Sequence, residues 1–243
     1  MNIKSNTNLV QTFLDSISYT KKEKKDILKY LELKGVHRYS EIMKIYISQT
    51  TIKRPTWKAL SDLYRYDKRL VFLLSRYYSM LEELLRSRIM ANIDDRLLDD
   101  DIHHNIEKLF GSNKTFVKKL TDIVKKFECI SLYDLLDCCL FSVLVDIIPF
   151  LQIDSDIYRL PLLPEITANK KTLVDLRNAV FHSLLLFGRT YGGLSLNESI
   201  NKFALALPIE FRDGFQNEIL KSNENLELTD KFIICIEKTN HSR

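Results

Sequence analysis

WKALSDLYRYDKRLVFLLSRYYSMLEELLRSRIMANIDDRLL, residues 57–98, is the stretch that decides the fold. Its apolar residues recur at near-heptad spacing, which is typical of a long helix that packs along one side. They are Leu60, Leu63, Leu70, Leu74, Tyr77, Leu81 and Leu84. Arg54-Pro55 interrupts the pattern upstream, and Thr56 is well placed to cap the first turn. The stretch predicts one long helix from Trp57 to about Leu98, at the centre of an all-α protein.

Helical periodicity continues on both sides, and no strand-like alternation of useful length occurs. Helices are predicted at 8–19, 21–33, 38–49, 102–110, 114–128, 131–148, 170–187, 195–206, 208–221 and 229–238, with a proline-bearing connector at 149–169. Thr20 and Glu23 are spaced as a capping box, and Gly188 followed by Gly192-Gly193 is a stop signal. We therefore predict an N-terminal helical extension, residues 1–50, and one cooperative domain, residues 51–243.

Composition excludes several classes of protein. Hydrophobic residues make up 45% of the 243 residues and charged residues 28%, which excludes disorder for most of the length. Six glycines and five prolines are too few for the many tight turns of a β-sandwich or barrel. The phosphate-binding patterns GxGxxG and GxxxxGKS/T are absent. The net charge of +4 tolerates a polyanionic partner without requiring one.

Cysteine usage and hydropathy point to a compartment. The cysteines are Cys129, Cys138, Cys139 and Cys235. None forms a CxxC pair, so they are expected to be reduced and mostly buried, with no disulfide frame, no metal and no other cofactor. The most apolar run, 135–151, is interrupted by Asp137 and Asp146, which predicts a core helix rather than a membrane span. The N-terminus lacks the apolar segment of a secretory signal, so we expect a cytoplasmic protein with no membrane partner.

The segment Asp175-Leu-Arg-Asn-Ala-Val-Phe-His182 carries the candidate chemistry. Its apolar seam comprises Leu173, Leu176, Val180, Leu184 and Phe187. On a helix at about 100° per residue, His182 points roughly opposite this seam, with Asn178 one turn before it and Arg189 nearby. Arg177 is not on the same face, but its long side chain is able to reach across. Phe181, Leu185 and Leu186 beside His182 need a cover, either a neighbouring helix or a second subunit, so His182 is expected to be partly desolvated.

These residues resemble a known motif. Arg177-Asn178-x-x-x-His182 is similar to the R-x4-6-H motif of the HEPN superfamily in its RNxxxH form. Arg54-Pro55, Leu60-x-x-Leu63-Tyr64-x-Tyr66-Asp67-x-Arg69-Leu70 and Glu82-x-x-Leu85-Arg86-Ser87-x-Ile89 look like the hallmark helix of the AbiD/AbiF-type abortive-infection family, and the resemblance covers residues 35–190. Two features depart from the family pattern. Cys139-Leu-Phe-Ser142 stands where the family often has Ser-Phe-Gly, and Val180-Phe181-His182-Ser183 supplies one imidazole where the family often has two.

The resemblance implies a HEPN-like helical bundle and a metal-independent endoribonuclease toxin of an abortive-infection, phage-defence or toxin-antitoxin system. It implies RNA as substrate and, in some relatives, a structured small RNA as antitoxin. Arg177, Asn178 and His182 would be catalytic, with Asp67, Arg69, Arg86 and Arg189 in support. RNA cleavage through the 2′-OH needs a base, an acid and a cation for the phosphate. Because one chain supplies one such histidine, we expect a homodimer with a composite site.

Several alternatives are compatible with the same residues. The whole domain is alternatively a non-catalytic HEPN module that binds RNA or protein. In a purely structural interpretation, Arg177 pairs with Asp175 or a distant acid, Asn178 caps a helix and His182 is half-buried. We expect Asp67 and Arg69 to form a buried salt bridge with Arg86, Arg88 or Arg177.

A further set of residues fits other patterns. Arg96 and His103 match the same loose motif, but three aspartates between them would repel a phosphate. His103 and His104 beside Asp99-Asp100-Asp101 suggest a metal-dependent hydrolase, although adjacent histidines on a helix point in different directions. We therefore interpret this region as a polar surface junction.

Overall fold

The computed structural model describes residues 3–91, 101–150 and 162–237. Within these ranges the chain is all-α, without a β-strand, which agrees with the predicted fold class. The helices are α1 (Ile3–Asp15), α2 (Glu23–Lys34), α3 (Val36–Gln49), α4 (Trp57–Ala91), α5 (Ile102–Phe110), α6 (Lys114–Phe127), α7 (Leu132–Cys138), α8 (Phe141–Ile147), α9 (Leu162–Ala168), α10 (Lys170–Phe181), α11 (Leu196–Leu205) and α12 (Ile209–Lys221). Short 3-10 turns follow at Ile148–Phe150 and Asp230–Phe232.

The long helix α4 organises the molecule. It spans 35 residues, and its start agrees with the prediction because Thr56 Oγ1 accepts a hydrogen bond of 3.1 Å from the Ala59 N–H. The apolar stripe is buried almost throughout, with Leu60, Leu70, Leu74 and Leu81 fully enclosed. The last predicted residues of the helix, 92–98, lie outside the described residues.

The first three helices share the core of α4. The Tyr39 ring of α3 lies 4.8 Å from the Trp57 ring at the start of α4, measured between ring centroids. The predicted capping box starts α2, because Glu23 Oε2 accepts from the Thr20 N–H at 2.6 Å and Thr20 Oγ1 accepts from the Glu23 N–H at 3.4 Å. Phe13, Ile27 and Tyr39, from the first three helices, are buried in the same hydrophobic cluster as residues of α4 and α10.

A second hydrophobic cluster lies at the far end of α4. It joins Ile89 of α4 to residues of α5, α6, α7 and α8, including Phe110, Phe116 and Leu144. One helix was predicted over 131–148, and this prediction is wrong: the chain breaks at Cys139-Leu140 into α7 and α8. The break interrupts the helical hydrogen-bond pattern, and Arg86 of α4 binds two backbone carbonyls there. Its Nε donates to Leu136 O at 3.0 Å and its Nη2 donates to Cys139 O at 3.1 Å.

Helix α1 occupies Ile3–Asp15 where 8–19 was predicted, and two elements nearer the C-terminus are shorter than predicted. The helix predicted at 170–187 ends at Phe181. Two residues later, Ser183 adopts a left-handed conformation with φ of 51°. The Leu184 N–H reaches Ala179 O at 2.9 Å and the Ser183 N–H reaches Val180 O at 3.0 Å, which is the Schellman arrangement. The helix predicted at 229–238 is only a 3-10 turn, because the side chains of Asn197 and Asn201 hold the backbone of Cys235 extended against α11.

The connector 149–169 contains the short helix α9, which starts at Leu162, while residues 151–161 lie outside the described residues. None of the helices in the described part of the chain combines the length and the apolar character needed to cross a bilayer.

Candidate functional site

Helix α10 packs antiparallel to α4, because residues that come later in α10 and in the following turn contact residues that come earlier in α4. Near its start, the buried Tyr78 hydroxyl donates to Leu173 O at 2.9 Å. After its end, Lys68 Nζ donates to Ser183 O at 3.4 Å, and the Phe187 ring lies 5.7 Å from the Tyr66 ring. The order of these contacts fixes the direction of α10 and places its C-terminal end beside the middle of α4.

Arg177 is held by an acid from α4. Its Nε donates to Glu82 Oε1 at 2.9 Å, and the two side chains are only 17% and 10% exposed. The guanidinium carbon lies 4.3 Å from the centroid of the Phe181 ring, one turn further along α10. Arg177 thus pairs with a distant acid, as the purely structural interpretation expected. Its Nη1 and Nη2 groups nevertheless have no partner among the described residues.

Asn178 and His182 lie on the surface. Both side chains are exposed, and neither forms a hydrogen bond within the described part of the chain. The expectation of a partly desolvated His182 is wrong, because the helix ends one residue earlier and His182 is its C-cap. The two leucines that follow, Leu185 and Leu186, turn back under the helix and are buried against the core of the same chain.

Asp67 does not pair with any of the arginines that the sequence suggested. Along α4, at about 1.5 Å per residue, Arg86 and Arg88 are roughly 28 and 31 Å from Asp67, too far for an ion pair. Arg177 and Arg86 converge instead on Glu82, which stands in the hallmark stretch and was not singled out. The helical spacing contained the signal: Glu82 and Arg86 are four residues apart, and Arg86 Nη2 lies 3.6 Å from Glu82 Oε2.

Asp67 holds the segment that follows the motif helix. Its Oδ1 accepts from the Leu186 N–H at 2.6 Å, and Lys68 Nζ lies 3.1 Å from its Oδ2 while also reaching Ser183 O. The carboxylate is 1% exposed. Burial raises the pKa of the Asp67 carboxyl, and the Lys68 ammonium with the backbone N–H groups of Leu186 and Phe187 opposes that rise. Asp67 and Lys68 therefore fix the chain just past His182.

The two remaining supporting arginines serve other elements. Arg69 Nη1 donates to Ser222 O at 3.1 Å and to Glu224 O at 2.9 Å, which holds the segment after α12 against α4. Its predicted buried salt bridge is therefore wrong. Arg189 lies beyond the end of α10, where its Nε donates to Leu185 O at 2.9 Å and its Nη2 faces Glu41 of α3 at 3.7 Å. Arg189 therefore holds the turn that follows α10 and faces α3.

The other candidate patterns are separate from this site. His103 and His104 are exposed on α5, and Asp101 caps that helix by accepting from the His103 N–H at 2.8 Å. Arg96, Asp99 and Asp100 lie outside the described residues. Among the residues that are described, no three His, Cys, Asp or Glu side chains are grouped as metal ligands.

The last turns of α10 and its C-cap therefore carry three polar groups of different chemistry, of which the guanidinium of Arg177 is half-buried while Asn178 and His182 are exposed. A guanidinium whose Nη groups no described residue hydrogen-bonds, a carboxamide and an imidazole are groups suited to binding a phosphate and moving a proton. No family model matches this chain, and no curated protein or solved structure matches it either. Its function is therefore inferred from these residues and from the resemblance of their motif.

Proposed function

We propose that this protein is a metal-independent endoribonuclease, of the kind found among abortive-infection and toxin-antitoxin proteins with the HEPN fold. The observation that carries the proposal is the end of α10. There no described residue hydrogen-bonds Nη1 or Nη2 of Arg177, and Asn178 and His182 are exposed at the same helix end. A site buried within one protomer would have no access to an RNA strand.

The reaction follows from these groups. The ribose 2′-oxygen attacks the adjacent phosphorus, the bond to the 5′-oxygen breaks, and the products carry a 2′,3′-cyclic phosphate and a 5′-hydroxyl. One imidazole accepts the proton of the 2′-hydroxyl, and a second donates a proton to the leaving 5′-oxygen. Arg177 binds the phosphate oxygens as negative charge builds on them. Asn178 orients His182 or the phosphate.

A single chain provides His182 only once, so the proposal includes a homodimer. Two-fold pairing at the ends of the α10 helices would pool two guanidiniums and two imidazoles in one groove. The 42% exposed Phe181, beneath Arg177, supplies apolar surface for such an interface. A structured small RNA that restrains the enzyme is implied only by the family resemblance.

The test compares wild-type protein with His182→Ala, and with His37→Ala and His104→Ala as controls that remove other exposed imidazoles. We expect wild type to cleave RNA in the presence of a chelator and to leave 2′,3′-cyclic phosphate ends. Only His182→Ala should lose this activity and the toxicity in a bacterial host. Because the side chain is exposed, its removal should change the free energy of unfolding by less than about 0.5 kcal/mol. Equal cleavage by wild type and His182→Ala would refute the proposal.

The alternative function is a non-catalytic module that binds RNA or protein. One observation favours it: no described residue hydrogen-bonds the His182 ring, so the part of the chain that the structure describes does not fix its tautomer. This alternative predicts RNA binding by wild type and His182→Ala alike, with no cleavage by either. Cleavage that disappears in chelator and in His104→Ala would instead indicate the metal-dependent hydrolase considered for His103 and His104.

A further inference from the structure

We propose that Glu82 is a positioning residue that aims the guanidinium of Arg177 at the scissile phosphate. The inference rests on the proposed ribonuclease function and adds to it a residue on a different helix. Glu82 lies 95 residues before Arg177 in the chain, on α4, and nothing in the R-x4-6-H spacing points to it.

Two contacts fix the guanidinium in space. The hydrogen bond of 2.9 Å from Nε to Glu82 Oε1 sets the direction of the group, and the Phe181 ring, whose centroid lies 4.3 Å from the guanidinium carbon, limits its movement on that side. The Glu82 bond uses only the Nε donor. No residue in the described ranges hydrogen-bonds the four remaining N–H donors of Arg177, on Nη1 and Nη2, so they are available to a phosphate, which an arginine binds through parallel hydrogen bonds.

Glu82 is itself held from its other side. Arg86 Nη2 lies 3.6 Å from Glu82 Oε2, and the same guanidinium is tied to the carbonyls of Leu136 and Cys139 at the break between α7 and α8. The Glu82 carboxylate therefore lies between Arg86, which also binds backbone carbonyls, and Arg177. Together the three side chains carry a net charge of +1, which Glu82→Gln would raise to +2.

Because of this charge balance, Glu82→Gln should affect kcat, through the orientation of Arg177, differently from KM, through the net charge of the site. Glu82→Gln keeps an oxygen that accepts from Nε but weakens the charge-assisted bond, so Arg177 is less well oriented. At the same time the site becomes more positive, which favours a polyanion. We therefore expect kcat to fall about 10- to 100-fold because reacting groups are misplaced, while KM falls because the more positive site binds RNA more tightly. Loss of the fold alone would reduce the active fraction without lowering KM.

The experiment measures kcat and KM for RNA cleavage in chelator for wild type, Glu82→Gln and Glu83→Gln. Glu83 is the exposed neighbour on α4, and its substitution removes the same charge. We expect Glu83→Gln to stay within about twofold of wild type in kcat. The inhibition constant of a non-cleavable 2′-deoxy oligonucleotide should also fall in Glu82→Gln. Equal kcat for the two glutamate variants, or a rise in KM at unchanged kcat, would overturn the proposal.

A second measurement needs neither activity nor a variant. Hydrogen exchange of the arginine Nε–H groups in the wild-type protein should be at least about tenfold slower for Arg177 than for Arg65, whose side chain is 52% exposed. Equal exchange would refute the Glu82–Arg177 geometry even if Glu82→Gln does not fold. An inactive wild type with a protected Arg177 Nε–H would refute the ribonuclease function and leave the geometry standing.

Discussion

The carboxylate of Asp67 on α4 accepts a hydrogen bond of 2.6 Å from the backbone N–H of Leu186, four residues after His182. This bond, together with the contact of Lys68 with Ser183 O, turns the chain back under the motif helix and leaves His182 at its tip. The carboxylate is buried, and that burial makes the turn sensitive to pH.

Asp67→Asn tests this sensitivity. Burial raises the pKa of the Asp67 carboxyl in the folded state, so the folded protein holds this proton more tightly than the unfolded chain. The contribution of the group to stability is therefore fully present below its unfolded pKa and is lost as the pH rises through the folded pKa. The loss grows by about 1.4 kcal/mol for every pH unit between those two pKa values.

Urea unfolding from about pH 3.5 to pH 8 is the measurement, taken as the difference between wild type and Asp67→Asn so that other groups cancel. We expect wild type to lose stability relative to the variant as the pH rises. A difference that stays constant over this range would contradict the raised pKa.

Ser183→Gly should stabilise the protein. Ser183 follows the C-cap of α10 with φ of 51°, a left-handed conformation that costs a residue with a Cβ about 1–2 kcal/mol and costs glycine almost nothing. After the greater entropy of glycine in the unfolded chain is subtracted, we expect a gain of about 0.5–1 kcal/mol. The same substitution at Ser79, exposed within α4, should instead destabilise by about 0.5 kcal/mol. Two changes of the same sign, read from thermal or urea unfolding, would be inconsistent with this explanation.

Local sequence predicts most of the helical frame, and it fails where distant side chains end a helix. The capping residue Thr56 and the Thr20–Glu23 box mark real helix starts because their hydrogen bonds span only three residues. The break at Cys139-Leu140 contains no glycine or proline from which it could be predicted. Its carbonyls are bound by Arg86, about 50 residues away in the chain.

The candidate site shows the same division. The motif residues Arg177, Asn178 and His182 are visible in the sequence because they lie within two turns of one helix. The end of that helix is not visible, because a serine in place of glycine and the distant Asp67 together define it. The partner of Arg177 is not visible in the motif because Glu82 lies 95 residues earlier in the chain, and the rise along α4 is what separates the position of Glu82 from that of Asp67.

Gly192→Ala should cost more stability than Gly193→Ala. Both glycines have positive φ, 59° and 92°, so both substitutions carry backbone strain. A Cβ on Gly192 would also lie 2.5 Å from Thr172 Oγ1 and 2.8 Å from the Thr172 backbone nitrogen, whereas nothing lies within 4 Å of one on Gly193. We expect the clash to add about 1–3 kcal/mol to the cost at Gly192. Unfolding midpoints in urea measure the difference, and equal costs would mean that the turn does not pack closely on α10.

Arg177→Lys separates the charge of the motif arginine from its shape. A lysine keeps the positive charge, but its single ammonium group is unable to bond Glu82 end-on and still present two parallel donors to a phosphate. If Arg177 acts as the proposed phosphate ligand, kcat for RNA cleavage should fall about 10²- to 10³-fold, as when one transition-state donor is removed. Arg65→Lys, at an exposed arginine of α4, is the matched control and should cleave at nearly the wild-type rate. Full activity of Arg177→Lys would mean that charge alone suffices, and the planar fork held by Glu82 and Phe181 would then have no part in catalysis.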